Sequence, residues 1–282
     1  MAATQGHTDF DPSKDIPSLD DKVVFITGGT SGLGAESVKA LAKHSPAHIY
    51  FTGRNASAGI ALISEVRGAQ PSVSLTFIEM DMSSLESVKK AVNKNFTHDR
   101  LDILMCNAGI MATPPSLSKD GFEIQFAVNH LAHAMILHVL TPVLIKTSEE
   151  PLSDSLMGTS LRQSKLANII YTAEFARRYP SVIAVSVHPG VVNTGLVTNL
   201  NPVKKAFVYA ANFIQGTSLL SPEKGAHNQL WAAAGAKKSK LVNGALYLPV
   251  GVESNHTLNK VAKSEELATR LWDWTQEVLE EY

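Results

Sequence analysis

Residues 23–43, VVFITGGTSGLGAESVKALAK, put an apolar run, a glycine-rich turn and a helix-compatible segment in immediate succession. A continuous apolar run ending in glycines suits a strand buried on both faces. The glycines of Thr27-Gly28-Gly29-Thr30-Ser31-Gly32-Leu33-Gly34 allow a tight turn, close backbone approach to a pyrophosphate and close helix–strand contact. Amides at the start of the following helix then face the anion. An isolated glycine pattern reads as well as a flexible loop. Here strand, loop and helix come in the required order near the start of the chain, and the reading is a dinucleotide-binding turn.

The rest of the chain repeats that alternation. Strands are expected at residues 48–52, 75–80, 101–106, 182–188 and 245–249, and helices near 57–67, 84–96, 121–146, 163–179, 222–234 and 264–281. Ser264 is a plausible N-cap for the last helix, with Glu265 and Glu266 favourably placed against its dipole. Such alternation gives a parallel sheet with helices on both faces and right-handed crossovers. The fold class is therefore α/β, a single doubly wound, Rossmann-like sheet. With 282 residues, no internal repeat and no linker rich in Gly, Pro or Ser, the chain reads as a polar tail over 1–19 and one domain over 20–282. A formal charge of −1 gives no electrostatic case for nucleic acid or an anionic membrane. One cysteine, Cys106, excludes a disulfide framework and a cysteine-built zinc site. No apolar run suggests a signal peptide or a membrane span, so a cytoplasmic protein is expected.

Several segments together resemble the short-chain dehydrogenase/reductase family over roughly residues 19–249. TGGTSGLG looks like its TGxxxGxG loop, which implies cofactor contacts from Gly28, Ser31, Gly32, Leu33 and Gly34. Asp81-Met82 after the third strand is similar to the acidic site that contacts adenine. Asn107-Ala108-Gly109 resembles the NAG motif, and Asn129 in VNHLAH the helix asparagine that holds a proton-relay water. Ser164-Lys165-Leu166-Ala167-Asn168 resembles the segment around the active-site lysine. His188-Pro189-Gly190-Val191-Val192-Asn193-Thr194 resembles the nicotinamide loop, implying roles for Pro189, Gly190, Val192 and Thr194. The resemblance implies hydride transfer between a nicotinamide cofactor and a carbonyl or alcohol, with Lys165 and Asn129 as the surviving catalytic set. A homo-oligomer through the helices at 129–144 and 163–179 is also implied.

Cofactor choice follows from the end of the second strand. A carboxylate there would bond the ribose 2′-hydroxyl and select NAD, whereas a basic residue accommodates a 2′-phosphate. The chain has Thr52-Gly53-Arg54-Asn55, and Arg54 can clamp a phosphate bidentately, so NADP is expected.

Two parts of the family pattern are not found in the sequence. Leu161 stands four residues before Lys165, where the family has its proton-donating tyrosine. Tyr171 lies about 240° round a helix from Lys165, and Tyr179 about 21 Å along the axis, so neither substitutes. Residues 147–162, TSEEPLSDSLMGTSLR, contain no apolar or β-branched run, so one central strand of the sheet is expected to be lacking. Ser153, Ser155 and Ser160 match the family's orienting serine by residue type only. Either the strand at 182–188 pairs with that at 101–106, or the gap is wet, or this stretch is a deletion.

His130, His133 and His138 share a helix, but no carboxylate or third ligand is spaced for zinc, so core or interface histidines are the better reading. Cys106 reads as a small core residue. Residues 196–220 resemble a variable substrate lid whose apolar content points to a small hydrophobic metabolite. The overall expectation is an NADP-dependent oxidoreductase with impaired chemistry. The alternatives are a redox-inactive NADP-binding regulatory protein, or a non-redox enzyme of secondary metabolism that uses the same pocket.

Overall fold

The structure, a computed structural model, describes residues 7–150, 156–160, 165–192 and 220–282. Strands β1 (Val23–Ile26), β2 (His48–Gly53), β3 (Leu75–Glu79), β4 (Ile103–Cys106), β5 (Leu156–Ser160), β6 (Ile183–Val187), β7 (Leu246–Leu248) and β8 (Val252–Glu253) form one sheet. Their order is β3-β2-β1-β4-β5-β6-β7-β8, parallel except for the last pair. The chain direction across the sheet reverses between β1 and β4, where loops from the two halves diverge and leave a crevice at the strands' C-terminal ends.

The helices are α1 (Pro12–Asp15), α2 (Gly32–Ala42), α3 (Ala56–Ala69), α4 (Leu85–Asn95), α5 (Ile124–Phe126), α6 (Ala132–Ser148), α7 (Lys165–Arg178), α8 (Pro222–Leu230) and α9 (Glu265–Glu280). Residues of β1 explain how both faces of the sheet are covered. Val23 and Phe25 pack into a core with side chains of α4, α6, α7 and α9, and Val24 and Ile26 into a second core with α2, α3 and α8. A strand with no polar residue between Val23 and Ile26 can only be satisfied by such two-sided burial. Ser264 caps α9 by accepting from Leu267 N at 3.2 Å.

Two expectations are corrected. First, the sheet does not lack a central strand: Leu156–Ser160 lies between β4 and β6, pairing Ile103 with Leu156 and Leu156 with Ile183. A buried strand edge on either neighbour would leave donors and acceptors unpaired. That demand places LMGTS in the sheet despite its modest β-propensity, because neighbours and burial outweigh intrinsic preference. Second, residues 8–19 do not form a free tail. Phe10, Ile16 and Leu19 are buried in the second core, and Thr8 N donates to Val250 O at 2.9 Å.

The helix pair expected to dimerise also packs within the chain, against α9. Trp272 of α9 stacks on Tyr171 of α7 at 4.7 Å between ring centroids, and Gln276 donates to the Tyr171 hydroxyl. His130, just before α6, contacts Thr275 of α9. The apolar stretch Ile124–Ser148 meets the length and composition of a membrane span, but 72% of its most apolar window is buried in the protein. It is the central helix of the first core, and its π-helical turn at Ala127–Leu131 carries Asn129 and His130.

Candidate active site

The crevice starts at the turn after β1. Gly28 and Gly32 have φ of +65° and +55°, in the left-handed region that penalises a side chain. A Cβ on Gly28 would lie 2.9 Å from the Cα of Ala108, and one on Gly34 would overlap the carbonyl of Gly28. Glycine is therefore required where turn, helix and the loop after β4 converge. The amides of Gly28 and Gly29 are spent on Thr52 of β2, at 3.3 Å to its hydroxyl and 2.8 Å to its carbonyl. Ser31 precedes α2 without a capping hydrogen bond from its side chain, so the first-turn amides near Gly32, Leu33 and Gly34 stay available to an anion. A Cβ-free cradle leading to an uncapped helix start fits a pyrophosphate.

Residues from the neighbouring strand ends border this cradle. Arg54 follows β2, is exposed, and among the described residues has no carboxylate partner. Asp81 lies two residues beyond β3. Burial alone would raise its pKa, but Lys119 at 2.7 Å and the backbone and hydroxyl of Ser83 hold it at about 2. Met82 beside it is buried in the first core.

Asn107, directly after β4, ties the loops together. Its backbone amide donates to Thr27 Oγ1 and its Nδ2 to Thr27 O, both at 2.9 Å. Asn129 holds the next turn of that loop: Oδ1 accepts from Ile110 N at 2.8 Å and Nδ2 donates to Ile110 O at 3.0 Å. Its carbonyl accepts from His133 Nδ1 and from Asn168 Nδ2, so the polar groups expected to hold a water are occupied by protein.

After β6, Pro189 is buried and Gly190 has φ of +80°, its amide donating to His188 Nδ1 at 2.9 Å. Val192 pairs with Leu220 across a parallel bridge, bringing the two ends of segment 193–219 together. Lys165 opens α7. Thr194, Leu161, Ser153, Ser155 and the proposed lid at 196–220, except Leu220, lie outside the described residues. Ser160 ends β5, in register with Val187.

Among the tyrosines, Tyr171 faces α9, and burial raises its hydroxyl pKa. Tyr179 packs on Phe175 and Trp272. His130 and His133 are buried and use both ring nitrogens in hydrogen bonds to protein groups. Cys106 is fully buried at the end of β4, which pushes its thiol pKa up to about 12.

Two residues of α8 escaped the sequence reading. Asn228 Nδ2 donates to His188 O at 2.8 Å and to Tyr247 O at 3.1 Å, while its Oδ1 accepts from Gly251 N. Gln229 Nε2 donates to Ser37 Oγ at 2.7 Å and to Asn107 Oδ1 at 3.3 Å. Adjacent amides thus brace the loop after β6 and the glycine turn together. The available signal was a polar pair beside Ala226 and Leu230, on the face that an amphipathic helix buries.

Comparison with known proteins agrees with this geometry. Residues 22–151 match the short chain dehydrogenase family model. The short-chain dehydrogenase/reductase drtF of Aspergillus calidoustus is 31% identical, with 94% of this chain and 95% of the relative covered. Retinol dehydrogenase 11 of Homo sapiens is 29% identical, covering 93% of this chain and 86% of the relative. A short-chain type dehydrogenase/reductase of Mycobacterium marinum shares the fold at a TM-score of 0.68 and 19% identity, covering 84% of this chain and 97% of that one. The Pseudomonas aeruginosa RhlG/NADP active-site complex does so at a TM-score of 0.67 and 17% identity, covering 86% and 98%.

Proposed function

We propose, from the premise that this chain belongs to the short-chain dehydrogenase/reductase family, that it binds NADP(H) in the crevice above β1–β4 and β6. Its reaction class is hydride transfer between that cofactor and a carbonyl or alcohol of a small hydrophobic metabolite. The observation that carries the reading is the cradle of Gly28, Gly32 and Gly34 against an uncapped α2. Support for NADP over NAD comes from Arg54, an exposed guanidinium-bearing residue at the end of β2 where a carboxylate would select NAD. Retinol dehydrogenase among the relatives acts, by its name, on an apolar alcohol, in keeping with a hydrophobic substrate.

The bound cofactor supplies or accepts the hydride, and the protein supplies orientation and electrostatics. The turn from Gly28 to Gly34 holds the pyrophosphate, Arg54 the 2′-phosphate, and Asp81 with Met82 the adenine side. Lys165, Pro189, Gly190, Val192 and Thr194 match the family's nicotinamide-side residues in sequence. Ser160, the last residue of β5, matches the family's carbonyl-orienting serine by residue type. Asn129 is a brace for the loop after β4.

With Leu161 four residues before Lys165, the family's tyrosine position carries no phenol for the hydroxyl proton. General acid–base help is typically worth ~10²–10⁴ in rate, so carbonyl reduction should be slow or undetectable. The alignment with drtF runs over 307 residues although only 94% of this chain takes part, so the relative contributes residues that this chain lacks. Leu161 also favours a second reading, an NADP-binding regulatory protein or a non-redox enzyme in the same pocket.

Fluorescence titration with NADPH and NADH, followed by NADPH consumption over a carbonyl panel, separates these. Binding with little consumption is expected. No binding of either nucleotide overturns the cofactor assignment, and turnover at ordinary rates of ~1–10³ s⁻¹ overturns the impairment.

A further inference from the structure

We infer that His133 is a positioning residue for the cofactor loop, setting the placement of Asn107 and Ala108 against the glycine turn through the hydroxyl of Thr27. The inference rests on cofactor binding at that turn, and its ground is the direction of the hydrogen bonds. His133 Nδ1 lies 3.0 Å from the carbonyl of Asn129, which can only accept. The ring proton is therefore on Nδ1, and Nε2 of the neutral imidazole must accept. Its partner at 2.9 Å is Thr27 Oγ1, so the threonine hydroxyl donates to the histidine. Both lone pairs of that hydroxyl are then free to accept, and the amides of Asn107 and Ala108 meet them at 2.9 Å each. Only this tautomer of His133 closes the set.

The same logic extends the chain away from the crevice. The Asn129 carbonyl also accepts from Asn168 Nδ2 at 2.8 Å, which turns Asn168 Oδ1 towards His130 Nδ1 at 2.8 Å. His130 Nε2 is left to accept from the hydroxyl of Thr275 in α9, at 3.1 Å. Thr27, Asn129, His130, His133, Asn168 and Thr275 are all buried, so water cannot readily replace a lost partner. Asn129 fixes Ile110 with its amide while His133 fixes residues 107 and 108 through Thr27. The loop is thus held at both ends by neighbours one helical turn apart.

The test compares His133→Phe, which removes the acceptor, with His133→Gln, whose amide can still accept from Thr27 and donate to Asn129. Loss of one partner in a buried hydrogen-bond set is worth about tenfold in an equilibrium constant. His133→Phe should weaken NADPH binding by about that factor and speed amide exchange at Asn107 and Ala108 in the cofactor-free protein. His133→Gln should recover most of both. In a cycle with Thr27→Val, the double variant should bind NADPH no worse than the weaker single variant. Unchanged affinity and unchanged exchange at 107 and 108, with only a lower melting temperature, would show a purely structural histidine and overturn the inference. Additive losses in the cycle would do the same. If His133→Phe does not accumulate as folded protein, Thr27→Val breaks the same contact from the other side and is read in the same way. A parent protein that binds no NADPH defeats the cofactor assignment instead, and the exchange rates then decide the role of His133.

Discussion

Arg54 is exposed at the end of β2, one residue past Gly53, whose own Cβ would strike Thr30 of the glycine turn. The backbone of Gly53 is thereby fixed against the glycine turn, and Arg54 leaves the strand beside it. Arg54→Ala should therefore weaken NADPH binding selectively, by roughly 1.5–3 kcal/mol, the worth of a hydrogen bond to a charged group. NADH binding should barely change. Parallel titrations of the two nucleotides measure this, and an equal loss for both would show that Arg54 does not discriminate. The residue itself was legible in the sequence, because strand ends in a doubly wound sheet have fixed roles. Gln229 and Asn228 were not: nothing local says that a polar pair 122 positions after Asn107 returns to it.

At the scale of elements, the helix α7 and its surroundings carry two consequences. Its first residue is Lys165, and position 161 is one helical turn upstream in sequence. Leu161→Tyr would put a phenol four residues before Lys165, the spacing of the family's tyrosine and lysine. The variant should turn over aldehydes with saturating NADPH faster than the parent, with recovery of part of the ~10²–10⁴ that acid–base help is worth. A rate equal to the parent's would show that the phenol does not reach the reaction.

The second consequence is the docking of α9. Trp272 is buried, stacks on Tyr171, touches Phe175 and Tyr179, and lies under the guanidinium of Arg178 at 5.0 Å. Trp272→Ala should cost about 3–5 kcal/mol, read as a lower urea midpoint. A change below about 1 kcal/mol would mean that α9 is not the main cover of that helix face. The strand β5 shows the limit of local reading. LMGTS has a single β-branched residue, Thr159, and is a central strand because the edges of β4 and β6 require partners.

For the whole molecule, the buried histidines link pH to stability. Burial lowers the pKa of both His130 and His133 to about 4. The bond that His130 donates to Asn168, and the one that His133 donates to the Asn129 carbonyl, offset only part of this effect. The unfolded chain binds protons near the ordinary histidine value of ~6.5, so between there and about 4 it holds more protons than the folded one. Stability is therefore full above that range and is lost as pH falls through it. Between pH 7 and pH 5 the pair should cost on the order of 4 kcal/mol. Urea unfolding at the two pH values tests this, and a slope no steeper than that of a variant lacking both imidazoles would count against it.

Patterns that act over a few residues were decided by the sequence alone: the alternation of strands and helices, the glycine turn after β1, the cap at Ser264 and the leucine four residues before Lys165. Each follows from local sterics, periodicity or the chemistry of one side chain. The docking of residues 8–19, the insertion of β5, the covering of α6 and α7 by α9 and the chain from Thr275 to Thr27 were decided only by the tertiary structure. These features exist because buried polar groups must find partners and apolar faces must find cover. The groups that satisfy them are brought together only when the sheet closes and its helices pack.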